Sequence, residues 1–306
     1  MEVTIIIGII KSAIRLATPY LYASIGETLG QLSGVLNLGV DGVMLMGAFV
    51  AFYTVTQTGS LFLGLLAAIL VGAVFGLLIA FINVTLKAEQ GISGIGVYIF
   101  GLGLSSLLFR VLIGTVQTIN GFSPLHIPLI SKIPIFGEIF FQQNILVYGA
   151  FLLVPFTWFI INKTPLGLSI RAVGQHPEAA DSLGVNIVRI RYLTVIVGGM
   201  LSGIAGASLS IALLNVFQQN LTNGMGFIAV ALVYFGAWRP ISVLAGALLF
   251  STVNAIQIWI QVQGVNIPSD FTLMLPYIVT IIVLTAMAKR RVRPPKALNK
   301  PFERGE

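Results

Sequence analysis

"GQHPEAADSLGV", residues 174–185, interrupts a chain most of which could dissolve in hydrocarbon. Pro177 suits the first position of a helix, where its missing N–H is no loss. Glu178 and Asp181 stand near the helix start, where negative charge meets the positive end of the macrodipole. Gly184 suits the left-handed position just beyond the helix end. The spacing predicts a helix over Pro177, Glu178, Ala179, Ala180, Asp181, Ser182 and Leu183, about two turns long. So short a helix is marginal alone and must be held by packing. Either it is an ordinary loop with a helical turn, or it is a docking element for a soluble partner.

The surroundings decide the fold class. Of 306 residues, 57% are hydrophobic and 9% charged, with mean hydropathy +0.97. Soluble domains carry about 25% charged residues, so the chain is an all-α polytopic membrane protein. Roughly 20 residues are needed per crossing. Apolar runs fall at 14–36, 38–57, 61–86, 92–113, 144–161, 192–214, 223–238, 241–259 and 270–288, which predicts about nine spans. Residues 3–12 read as a separate interfacial helix ended by Lys11. The opening "MEVTIIIGII" lacks the basic start and cleavage site of a signal peptide, so the N-terminus is expected to be retained. No linker or repeat divides the chain, and one domain is expected over 1–306.

Lysine and arginine set the orientation. Lys163, Arg171, Arg189 and Arg191 flank the opening stretch, and seven more crowd the tail from Lys289 to Arg304. Together these are eleven of the 17 basic residues. The loop 162–191 and the tail 289–306 are therefore expected in the cytoplasm, with the tail touching anionic lipid. Lys87 and Arg239 then fall inside, and the connection 114–143 falls outside.

Most chemistries are excluded. There is no phosphate-binding loop for ATP and no H-E-x-x-H metal motif. Cysteine is absent, and the two histidines, His126 and His176, lie in different loops. Glycine-rich "GISGIGVYIFGLG" (91–103) fails the dinucleotide spacing. Gly72-x-x-x-Gly76 and Gly199-x-x-x-Gly203 instead fit close helix contacts. No catalytic set stands out, and neither an enzyme nor a metal site is expected. Acids within or beside spans are functional candidates by default, which singles out Glu27 and Asp41. The competing readings are an internally bonded structural acid for Glu27 and a solvated cap at the cytoplasmic edge for Asp41. Asn37 lies among glycines that can break a helix. Asn83, Asn254 and Gln257 lie on spans, where a polar stripe facing a path competes with interhelical hydrogen bonding. Such uncharged groups suit a neutral polyhydroxylated solute better than an ion.

Three stretches carry a resemblance. Glu178-Ala179-Ala180-x-x-x-Gly184 resembles the E-A-A-x-x-x-G core of the cytoplasmic loop in permeases of ABC importers. Gly34 to Leu45 resembles the G-V-L-N-[IL]-G-x-[ED]-G-x-M-L run of the ribose, branched-chain amino acid and nucleoside permeases. Gln31-Leu32 stands where that family often has Glu-Arg or Glu-Lys. Gly224 to Pro240, "GMGFIAVALVYFGAWRP", resembles a further segment of the nucleoside branch. The resemblance implies a permease in a bacterial or archaeal plasma membrane, importing nucleosides or purine-type solutes, with simple sugars or branched-chain amino acids as alternatives. An ion-coupled secondary transporter is the rival class. It also implies a coupling helix at 177–184 seated on an ATPase subunit that binds ATP and magnesium. A second, non-identical permease and an external solute-binding protein would complete the complex. This chain itself would hold no cofactor, and Glu27, Asn37, Asn83, Asn254 and Gln257 are the candidates for its solute path.

Overall fold

The computed structural model describes residues 2–125, 136–262 and 293–303, with scattered positions between 274 and 285. Eleven helices are ordered along the described residues. They are α1 (Glu2–Leu32), α2 (Val40–Thr58), α3 (Leu61–Ala80), α4 (Gln90–Leu112), α5 (Phe136–Phe140), α6 (Ile145–Lys163), α7 (Pro165–Gln175), α8 (Pro177–Ser182), α9 (Ile187–Ser208), α10 (Met225–Phe235) and α11 (Pro240–Val262). α3 and α9 each run into a single π-helical turn, at Phe81–Thr85 and Leu209–Leu213. Side-chain caps mark the starts. Ser60, Asn144, Thr164 and Asn186 accept from Leu63, Val147, Gly167 and Arg189 N–H groups respectively, each satisfying an otherwise orphaned donor.

Seven helices among the described residues are long and apolar enough to cross a membrane: α1, α2, α3, α4, α6, α9 and α11. The chain is an all-α polytopic membrane protein. Its span count departs from the expected nine. The run 223–238 yields only the eleven residues of α10, about 16 Å at 1.5 Å per residue, too short to cross. The run 270–288 lies mostly outside the described residues. Residues 3–12 are not a separate helix; α1 is continuous through them to Leu32. Lys11 looked like punctuation because a charge interrupts the apolar run. Arg15, one turn further on, shows how α1 carries charge there. Its Nε donates to Gln143 Oε1 at 2.9 Å, in the connection preceding α6.

α2 and α9 form the centre, while α3 and α4 turn rows of apolar side chains such as Leu70, Val74, Ile99 and Leu107 outward. Burial of apolar surface gives no drive between helices in lipid, so close backbone packing must hold them. The glycines supply it. Gly72 and Gly76 of α3 meet Gly199 and Gly203 of α9 backbone to backbone. A Cβ at Gly76 would lie 2.9 Å from the Val195 carbonyl oxygen, and one at Gly199 would lie 2.8 Å from the Gly76 Cα. Gly199→Leu is therefore expected to cost at least the 1–3 kcal/mol, roughly, of core overpacking. Gly103→Ala on α4, where an added Cβ meets nothing within 4 Å, is the neutral control. Thermal unfolding of the detergent-solubilised protein checks the pair.

Candidate functional site

Between α1 and α2 the backbone leaves helical geometry for residues 33–39. Gly34, at φ 94°, turns the chain back on itself. The following strand of backbone runs antiparallel to α1, because the Asn37 N–H donates to Glu27 Oε1 at 3.0 Å. Glu27 lies six residues up α1 from Ser33, about 9 Å along the axis. Asn37 and the start of α2 therefore sit at depth. Irregular backbone there must find partners inside the protein. Three side chains provide them. Besides Glu27, Gln90 Oε1 accepts from the Leu36 N–H at 2.7 Å, and Asn37 Oδ1 accepts from the Gly39 N–H at 2.8 Å. Asp41 performs the same service for a second break. Its carboxylate accepts from the Gly226 N–H at 2.7 Å and the Thr222 hydroxyl at 3.0 Å. Thr222 lies near the end of the irregular segment 214–224, which follows the π turn of α9, and Gly226 lies in the first turn of α10.

Asp41 is thus fully buried, not a solvated cap at the membrane edge. Its place in the first turn of α2 made a surface position plausible, but α2 starts inside the protein. Glu27 is a buried, internally bonded acid, receiving Gln31 Nε2 at 2.9 Å as well. Gln31 then accepts from the Trp238 indole N–H at 2.8 Å. Gln31 is thus an uncharged relay from Glu27 on α1 to the turn that follows α10.

The remaining polar candidates are dispersed. Asn83 is buried in the π turn after α3, its Oδ1 receiving the Ser93 hydroxyl at 2.5 Å while its Nδ2 has no partner. Asn254 and Gln257 lie past the middle of α11, where Asn254 Nδ2 approaches the Tyr20 hydroxyl at 3.4 Å. Gln257 is buried. Asn37 and Asn83 flank the start of α4; Asn254 and Gln257 do not join them.

The short helix of the opening stretch is present as α8. Gly184 takes φ +84°, its N–H donates to the Asp181 carbonyl, and Val185 N–H reaches back to the Ala180 carbonyl. That double closure is the Schellman ending. Ala180 is buried against Val173 and Ile187, which fixes α8 to α7 and α9. Glu178, Ala179, Ser182 and Leu183 are exposed, Leu183 at 84%. α7 was not anticipated, although Thr164-Pro165 is a cap followed by a first-turn proline. Arg191 is another correction. Counted as one more orientation arginine, it is in fact buried at 1% exposure, its Nε donating to the Ser33 carbonyl and its Nη1 to that of Lys300.

Residues 9–284 match the family described as branched-chain amino acid transport system / permease component. The chain belongs to this permease family. Among curated relatives, it is similar to a putative glucose ABC transporter permease of Haloferax volcanii, at 38% identity over 97% of this chain and 98% of the relative. It is also similar to a guanosine ABC transporter permease of Bacillus subtilis, at 34% over the full length of both. A nucleoside ABC transporter permease of Lactococcus lactis shares 33% over 94% of each chain. No solved structure matches.

Asp41→Ala strips two buried donors of their acceptor, a loss of about 1–3 kcal/mol for each group left unsatisfied. Asp41→Asn, which keeps one acceptor oxygen, is expected to fall between it and the parent in melting temperature. Equal stability of all three proteins would show that these bonds do not hold the break.

Proposed function

We propose that this permease, one domain over 1–306, is the membrane subunit of an ATP-driven importer for nucleosides or purine-type solutes. The observation that carries the ATP-driven part is α8. It is a capped two-turn helix whose inner side is locked to α7 and α9 and whose outer side presents Glu178, Ala179, Ser182 and Leu183 to solvent. A knob held rigid in this way is pre-organised for a groove in a soluble partner. The partner is an ATPase subunit, which would hold ATP and magnesium. A second, non-identical permease and an external solute-binding protein complete the assembly. The excess of basic residues supports a cytoplasmic side for α7, α8 and the C-terminus, in a bacterial or archaeal plasma membrane. Residues Pro177 to Gly184 carry the power stroke. Glu27, Asn37, Asn83, Asn254 and Gln257 remain the candidates that border the path, the first two by holding open a break in the helical wall.

Two relatives named for guanosine and nucleoside transport favour the nucleoside reading. The Haloferax relative, named for glucose at higher identity, keeps a sugar as the second reading. ATP hydrolysis by the reconstituted complex, stimulated by guanosine but not by glucose or leucine, is the expected result; stimulation by glucose alone would transfer the assignment to sugars. In the same complex, Glu178→Arg is expected to lower uptake at least about tenfold while the permease remains inserted. Uptake at the parental rate would remove α8 from the docking surface.

A further inference from the structure

The C-terminal segment 293–303 is more than an orientation signal, because it is bound to every element around the base of α8. The Ala297 N–H donates to the Gly174 carbonyl at 2.9 Å, at the end of α7. Two residues on, the Asn299 N–H donates to the Gly34 carbonyl at 3.2 Å, in the α1–α2 break. Leu298 packs against the cluster of Leu32, Ile170 and Trp238, and Phe302 against that of Val173, Ala180 and Ile187. At its far end Glu303 pairs with Lys87 at 2.8 Å, in the α3–α4 turn. One peptide thus touches the coupling side of the protein and its broken helix pair.

Arg191 makes the junction. It stands in the second turn of α9, directly after α8. From there a single buried guanidinium holds the Ser33 carbonyl and the Lys300 carbonyl, both at 3.2 Å. Thr194, on the same face, shares a 2.8 Å hydrogen bond with the Ser33 hydroxyl. Among the described residues Arg191 has no carboxylate partner, and its Nη2 is unsatisfied. Burial of an uncompensated charge is costly, and a fork that bridges two carbonyls is something lysine's point charge cannot reproduce.

We propose that residues 293–303, fastened by Arg191, are a transmission strap. When the ATPase displaces α8, the strap and α9 move the Ser33–Gly39 break with it, and so shift the segment that Glu27 and Gln90 hold. Arg191 acts here as a positioning residue, away from solute and nucleotide. The inference rests on the docking of α8 to an ATPase.

The test uses the complete reconstituted complex and reads solute moved per ATP hydrolysed. Ending the chain after Val292 removes the strap but keeps Lys289, Arg290 and Arg291 for orientation. ATP hydrolysis should persist while the ratio falls about tenfold, a typical energy of coupling between sites. Arg191→Lys should lower the ratio in the same direction with the complex intact. An unchanged ratio in both variants overturns the strap. If the shortened chain fails to assemble, Arg191→Lys decides alone, and a parental ratio there is equally fatal. Glu178→Arg separates the two levels. Should it uncouple transport while the strap variants do not, only the strap falls; should it also leave the ratio unchanged, the docking of α8 falls first.

Discussion

Everything about this molecule's interior depends on keeping unpaired peptide groups satisfied away from water. Two stretches of backbone, 33–39 and 214–224, leave helical geometry within the fold. Each exposed N–H there would cost several kcal/mol, roughly, in hydrocarbon. Glu27 and Gln90 cover the first stretch and Asp41 covers the second. The acids are thus hydrogen-bond acceptors in service of the main chain. This division of labour also explains why they need no cationic partner. Each receives at least two N–H or O–H donors, which satisfies its buried oxygens within the protein.

Around this polar knot the helices are held by shape. α9 lies against α3 through facing glycines, and the same device brings Gly47 of α2 within reach of Gly203. Tight, side-chain-free seams of this sort are stiff. They make α9 a poor place for local deformation and a good lever, since whatever tilts its first turns must carry α3 or break the seam. The softer joints lie at the irregular stretches and at the two π turns, the kind of local irregularity that recurs at functional positions.

Much of this was readable from the residues because membrane solvation imposes simple rules. Long apolar runs located six of the seven spanning helices within about five residues, the start of α1 being the exception. Small-residue spacing marked Gly72, Gly76, Gly199 and Gly203 as close-contact positions without saying that they meet each other. The proline, acids and glycine of 177–184 specified α8 down to its left-handed terminus. What could not be read follows one pattern. In the sequence Asp41 stays open between a functional acid and a solvated cap, and Arg191 counts with the cytoplasmic arginines, because charge near a helix end ordinarily seeks water. Their burial is decided by partners distant in the chain, Gly226 for one and Lys300 for the other. Trp238 and Gly226 lie in a stretch that stood out by resemblance, yet nothing local says that one meets Gln31 and the other Asp41. The shortness of α10 was hidden for a related reason. Residues 217–224 continue the chain as non-helical backbone and turns, with Phe217 edge-on against Phe49 and tilted against Phe109.

The brevity of α10 has a bearing on how the protein is made. Eleven residues cannot anchor themselves in a bilayer during synthesis, and the irregular approach to them has no refuge in lipid until Asp41 is already in position. Biogenesis is therefore ordered. The first half of the polypeptide must be inserted and folded far enough to offer its aspartate before the half-crossing after α9 can leave the aqueous phase.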